Sequence, residues 1–463
     1  MLLTRVCSHW RSVALSTPKL WASLQHIAHA RLSSTACTPA YIRPSDIEFL
    51  LWWRERVGGI KPSIRLGLHM CGMIPGPASP RDTRPFRIAL DPQAHRFLLE
   101  LVERAVHLDL DYHYTIAFQN AFFGGRTRSL ECPNLQTLCI RQGIERSHSE
   151  PDRAPLPLSP EIYDTEELIL IHARHSSLRR LYIEDLCLPG DQVPLTQVMP
   201  WRNLTHIHAI NFSVTLDGWL DFIRACTSMV SGCFIINRMT MGDNHVTPRQ
   251  VSLPLVRQLV CRVPMGGNST ISPFYHLDLP ALVALRLETF PPVNFEHLER
   301  ILSSTPSLKE LQLGPYHPWN DDANAQQLPL PEDMIPHGIV RPLWESVPKL
   351  ESIHFARRPE LHEQEVRCPA LVKQTLQTPW LGLDRRENRI KTLSFEADGV
   401  HNQADIERAV GEVIQSGKVP EGVKIVFRRP ADFPLWNERG DYDINRFKSS
   451  DCFADLGFNS SIL

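Results

Sequence analysis

The segment Thr305-Pro-Ser-Leu-Lys-Glu-Leu-Gln-Leu313 decides the fold, because its form, P-x-L-x-x-L-x-L, returns along the chain. The same form occupies 132–140, 279–287 and 347–355, and 254–261 repeats it with a cysteine at the last position. Three further copies lack the proline. The first apolar positions of the eight copies are residues 135, 178, 204, 256, 282, 308, 350 and 390.

The spacing of these copies indicates a repeat protein. Three of the gaps are 26 residues, one is twice 26, and the others are 40 to 43 residues. A period of 26 lies within the range of leucine-rich repeats. The closing L-x-L places two side chains on one face of a strand, and the earlier leucine turns into the same core. We therefore predict an α/β leucine-rich-repeat solenoid with parallel strands and outer helices.

Apolar stripes with helical spacing precede several of the predicted strands, and the proline falls between helix and strand, where it stops the helix. The stripes are 97/98/101/102/105, 216/220/223/226, 295/298/301/302 and 406/410/414. We expect the last strand at Val423–Phe427 and a weak copy of the motif at Ala105, Leu108 and Leu110. The predicted repeat core comprises Leu135, Leu138, Leu178, Leu181, Leu204, Ile207, Leu282, Leu285, Leu287, Leu308, Leu311, Leu313, Leu350, Ile353 and Phe355.

The longer gaps hold Pro-rich or polar insertions near 73–85, 150–160 and 314–338, which we expect to be exposed loops. The asparagine ladder that usually stabilises leucine-rich turns is missing, so the solenoid should be irregular. It should extend over 29–428, with 429–463 as a tail or cap.

The composition excludes several classes of protein. The 463 residues carry a net charge of -2, which gives no footprint for nucleic acid or an anionic membrane, and no stretch has the length of an apolar membrane span. The 11 cysteines show no paired framework, which favours reduced thiols in the cytoplasm or nucleus. The 57 leucines and 38 prolines are in excess, as the repeat motif requires.

The first 28 residues resemble the second half of an F-box. Val6-Cys-Ser-His-Trp-Arg-Ser-Val-Ala14, followed by Pro18-Lys-Leu-Trp21, is similar to the form V-C-x-x-W-R-x-x-A, then P-x-L-W, of F-box proteins from mushroom-forming fungi. Residues 52–59 with Pro62, 200–205 and 277–282 resemble the same family. The matched positions in the F-box are Val6, Cys7, Trp10, Arg11, Pro18, Leu20 and Trp21.

The resemblance implies a function without catalysis. In that family the F-box binds the Skp-type adaptor of a cullin-RING ubiquitin ligase, and the repeats bind the protein substrate. The family's first helix, with its Leu-Pro-x-Glu start, supplies much of the adaptor contact. We expect Met1 to fall just after that half, so that it is missing here. The alternatives are a repeat scaffold that binds protein without any ligase, an enzyme with an unfamiliar site, and, for residues 1–44, a mitochondrial transit peptide.

Other residue patterns offer little chemistry. No nucleotide-binding or hydrolase signature occurs, so we expect no catalytic residue, cofactor or metal. His206 and His208 share a strand face but have no further ligand at suitable spacing, and we expect them to face solvent. We also expect Asp109 to be solvated. Cys132 and Cys139 should be small buried apolar residues.

Overall fold

The computed structural model describes residues 7–31, 40–41, 44–71, 88–89, 92–111, 132–141, 177–184, 201–240, 250–262, 276–288, 300–313, 346–355, 390–396, 403–416 and 422–428. The protein is α/β, and the described residues contain a large parallel sheet of thirteen strands with few helices. Two compact units divide the chain, Met1–Phe212 and Ser213–Leu463. None of the described helices combines the length and the hydropathy that a membrane span requires.

The first unit contains five parallel strands in chain order and most of a sixth, β8, which ends three residues beyond Phe212. They are β1 (Ser23–Arg31), β3 (Ser63–Cys71), β5 (His107–Asp111), β6 (Thr137–Arg141), β7 (Arg180–Glu184) and β8 (His206–Thr215). A separate short pair consists of β2 (Ala40–Tyr41) and β4 (Ile88–Ala89). The helices are α1 (Ser8–Ser16), α2 (Pro44–Val57) and α3 (Pro92–Arg104).

The second unit contains seven parallel strands, again in chain order. They are β9 (Ser231–Thr240), β11 (Gln258–Arg262), β13 (Ala284–Glu288), β14 (Glu310–Leu313), β15 (Ser352–Phe355), β16 (Thr392–Glu396) and β17 (Lys424–Arg428). A short pair consists of β10 (Val251–Ser252) and β12 (Leu277–Asp278). The helices are α4 (Leu216–Ala225) and α5 (Gln403–Gln415), and residues 300–303 are also helical.

Each proline of the repeat motif lies in a tight turn ahead of its strand. In Thr305-Pro-Ser-Leu308, the Leu308 N–H donates to the Thr305 carbonyl at 3.0 Å. The turns that begin at residues 132, 253, 279 and 347 close by the same i to i+3 bond, at 3.1–3.3 Å. Proline thus stands at the first central position of a turn, where its fixed φ is favourable. The motif proline therefore shapes the turn itself.

A repeated hydrogen-bond pattern joins successive strand starts. The Lys309 carbonyl accepts from the N–H groups of Glu351 and Ser352, both at 2.9 Å. The Glu351 carbonyl accepts in the same way from the next strand start, at 2.8 and 3.1 Å. Each such oxygen uses both of its lone pairs. The pattern recurs at residues 106, 136, 179, 230, 257 and 283, and it fixes neighbouring strand starts side by side.

Leucine and isoleucine rows fill one face of the strands. In the second unit, Leu259, Leu285, Leu311, Ile353 and Leu393 are register partners in consecutive strands, and all are buried. A matching row in the first unit consists of residues 108, 138, 181 and 207. Each fully buried leucine stabilises the fold by about 1.5–3 kcal/mol. These rows make the apolar core of each unit.

Strand β9 shows where the sequence pattern is incomplete. The 26-residue period places the first apolar position of a repeat at residue 230, and β9 begins at the next residue, Ser231. The segment nevertheless lacks the leucines of the motif. Gly232 takes the place of a leucine in the buried row, opposite Leu259. A Cβ at Gly232 would lie 2.6 Å from the ring of Phe234, which packs edge-on against Trp219 at 4.7 Å between centroids. The aromatic ring therefore fills the space that a leucine fills elsewhere.

The predicted helices have mixed outcomes. The stripes at 97–105 and 216–226 lie in or next to α3 and α4, and their apolar residues are buried. Helix α5 buries Val410 but leaves Ile414 half exposed. The last strand lies one residue beyond its expected start. The expected solenoid with outer helices and the boundaries at 28 and 428 stay predictions. The three insertions and the tail lie outside the described residues.

Candidate functional site

The segment that resembles an F-box forms a helix and a short turn against α2. Helix α1 is followed by a 3-10 turn over Pro18–Trp21. The Trp21 indole Nε1–H donates to the Ala14 carbonyl at 2.8 Å, and the Trp21 ring meets Trp52 of α2 edge-on at 5.1 Å. Such an aromatic pair adds about 0.5–1.5 kcal/mol beyond its buried area. Trp21 therefore anchors the turn to α2.

Apolar side chains around this anchor remain in solvent. Leu20 is 53% exposed and Val13 is 38% exposed, while Leu51, on α2 beside Trp52, is 38% exposed. We call Val13, Leu20 and Leu51 the apolar patch. They are three of the large apolar side chains that the described residues leave exposed. Two of the elements that carry them, the Pro18–Trp21 turn and α2, meet at the contact between Trp21 and Trp52, and apolar side chains left exposed on packed elements are candidates for a protein-binding surface.

The other predicted F-box positions have separate locations. Pro18 and Cys7 are exposed, and Trp10 and Arg11 belong to α1. Val6 lies outside the described residues. Strand β1 begins at Ser23, so the last residues of the expected F-box segment belong to the parallel sheet.

The core positions predicted for the repeats are buried wherever the structure describes their side chains, which leaves out Leu313 and Phe355.

Helix α2 is tied to α3 by charge. The Arg54 guanidinium forms an ion pair with Glu100 at 2.9 Å and lies 5.4 Å from the ring centroid of Phe97. Both partners of the ion pair are close to half exposed, so the pair alone contributes at most about 1 kcal/mol. The two contacts tie α2, which carries Leu51, to α3.

A buried polar row lies on the second face of the first unit, opposite the leucine core. Thr137, Arg180 and His206 are register partners on β6, β7 and β8, and all three are buried. Burial lowers the pKa of Arg180 to about 10, which still leaves it charged at neutral pH. Tyr182 and His208 lie two residues further along the same face and are also buried.

Two expectations about this face are wrong. His206 and His208 are buried, with His208 only 1% exposed, and burial together with the charge of His206 lowers the pKa of His208 well below 6.5. Asp109 is also buried, with Arg65 at 3.8 Å. Parallel sheets usually have both faces covered, and this physical tendency overrides the polar character of the strand residues. Sequence reasoning also missed Arg180 and Tyr182, whose only signal was their position as the first and third residues of a predicted strand.

The described cysteines inside the fold have the expected apolar character. Cys132 and Cys139 are buried, and burial, with a smaller effect of Glu103, raises the pKa of Cys132 to about 12. Burial likewise raises the pKa of Cys226 and of Cys261. A thiol with a raised pKa is a poor nucleophile and a poor metal ligand at neutral pH. These residues are suited to packing.

Within the described ranges, no group of three or more His, Cys, Asp or Glu side chains is placed to hold a metal ion. The described residues present an apolar patch near the N-terminus and a buried polar row along the strands of the first unit.

Comparison with known proteins adds no family. No protein-family model matches the chain. No curated protein matches it either.

Proposed function

We propose that this chain is the substrate-recognition subunit of a Skp-type-adaptor/cullin ubiquitin ligase. The observation that carries the proposal is the apolar patch, two of whose residues, Val13 and Leu20, lie exposed on the segment that resembles an F-box. Its anchor, Trp21, is fixed by a hydrogen bond and a ring contact, so the patch is held on an ordered surface. A rigid apolar surface binds a partner with little loss of conformational entropy.

The repeated strand starts supply the second half of the proposal. Consecutive strands joined through the same turn and the same shared carbonyl support a stack of repeats, and stacked repeats offer extended binding surfaces. In this proposal the repeats bind a protein substrate and the patch binds the adaptor. The chain supplies proximity and no catalytic group.

Binding of a purified Skp-type adaptor to the full chain tests the proposal. The double variant Val13→Glu, Leu20→Glu places two charges in the patch and should weaken adaptor binding at least ten-fold. Leu255→Glu is the matched control, because Leu255 is 51% exposed and lies in the second unit. It should leave adaptor binding unchanged.

The measurement should be repeated on the chain extended by an F-box first helix with a Leu-Pro-x-Glu start. Binding by either form, lost in the double variant, supports the ligase function. Absence of binding by both forms refutes it. Retained binding by the double variant refutes the role that the proposal assigns to the apolar patch.

A further inference from the structure

The starts of the strands in the second unit carry exposed cations at a regular interval. Arg257, Lys309 and Lys391 occupy the same place in the repeat, one residue ahead of β11, β14 and β16, and all three are exposed. We call these three residues the basic rim. Val283 and Glu351 hold the same place ahead of the strands between them, β13 and β15.

The spacing of the basic rim is set by the backbone. The carbonyls of residues 257, 283, 309 and 351 each accept two N–H groups from the next strand start, so these positions follow one another at the strand spacing. Neighbouring strands lie about 4.8 Å apart. Successive cations, two strands apart, are therefore separated by about 9.6 Å.

Apolar surface lies at the same edge of the sheet. The prolines of the four turns, at residues 254, 280, 306 and 348, are exposed, and so is Leu255. This edge therefore combines proline rings with cations. A partner that fits it needs acidic groups about 9.6 Å apart and apolar groups between them.

A polyproline II segment has this geometry. It has three residues per turn and rises about 3.1 Å per residue, so every third side chain lies on one face at intervals of about 9.3 Å. An extended β-strand does not fit, because residues three apart point to opposite faces. Polyproline II segments also lose little entropy on binding.

We propose that the basic rim binds an acidic polyproline II segment of a partner protein, with an acidic residue at every third position. That this partner is a ubiquitination substrate rests on the proposed function; the binding itself does not. Glu351 opposes an acid placed between Lys309 and Lys391, and it pairs with Lys391 at 2.9 Å. Glu310, the exposed first residue of β14, adds a second carboxylate beside Lys309.

Titration of the full chain with synthetic peptides tests the inference, without adaptor. The probe is (Glu-Pro-Pro)4, and a peptide of the same composition with its four glutamates in one block is the spacing control. The spaced peptide should bind at least three-fold more tightly than the block peptide, and (Lys-Pro-Pro)4 should not bind. Raising the salt from 50 to 500 mM should weaken binding about ten-fold, because exposed charges are screened.

Two variants with opposite expected effects complete the test. Lys309→Gln should weaken binding of the spaced peptide about three-fold, as expected for one exposed ionic contact. Glu351→Gln should strengthen it, because a repelling charge is removed. Equal binding of the spaced and block peptides, no binding of either, or a shift in the same direction in both variants would overturn the proposal. Failure of adaptor binding would leave the peptide result unchanged, so the two proposals fail separately.

Discussion

Replacement of Leu308 by alanine should open the second unit locally. Leu308 is 0% exposed and closes the Pro306 turn through its N–H. A buried Leu→Ala change costs about 2–5 kcal/mol, because it removes transfer free energy and leaves a cavity. A loss of about 3 kcal/mol corresponds to an opening equilibrium that is more favourable by about 100-fold.

Hydrogen exchange of the full chain measures this opening directly. Backbone amides of 306–313 in Leu308→Ala should exchange about 100-fold faster than in the unsubstituted chain, provided that they exchange through local opening. Leu255→Ala is the matched control, since its side chain is half exposed and its loss should cost under about 1 kcal/mol. The reasoning is refuted if the two variants exchange within two-fold of each other in this segment.

The remaining predictions concern a glycine pair and a histidine. Gly232→Ala should destabilise the second unit by about 1–3 kcal/mol, because the new Cβ would lie 2.6 Å from the Phe234 ring. Gly411 lies within α5, and a Cβ there would meet no atom within 4 Å, so Gly411→Ala should stabilise the second unit by up to about 1 kcal/mol. Urea unfolding measures both variants, and a change of stability in the same direction in both would contradict the packing argument. Because the pKa of His208 is lowered in the folded chain, His208 binds a proton more readily in the unfolded chain than in the folded one. Stability from His208 is therefore complete above pH 6.5 and is lost as the pH falls below that value, by up to about 1.4 kcal/mol per unit. His208→Gln should make the urea midpoint depend less on pH between pH 7 and 5. An unchanged dependence would show that His206 or another group is responsible.

The sequence predicted the parallel strands well because one face of each strand is fixed by leucine. The motif at 305–313 led directly to β14, and the copy at 279–287 led to β13. Strand β9 was not predicted, because its two motif positions hold Gly232, which is smaller than leucine, and Phe234, which is larger. A small residue beside a large one fills the same space as two leucines, but it removes the leucine pattern from the sequence.

The second face of the strands was less accessible to sequence reasoning. A strand such as β8, with histidines alternating with apolar residues, has the pattern of a half-exposed strand. The pattern states which residues share a face, but it does not state whether that face is covered. His206 and His208 were therefore expected in solvent and are buried. The apolar patch was not predicted from the sequence: the F-box resemblance named Leu20 as a matched position but not its exposure, and it did not name Leu51, which lies beside Trp52 on α2.

Hydrogen exchange of the full chain with and without a saturating Skp-type adaptor tests the central claim most directly. The proposed function predicts slower exchange over residues 8–21 and in α2, around the apolar patch, with no change in β13, β14 or β15. Unchanged exchange over residues 8–21, or slower exchange confined to the second unit, would contradict it.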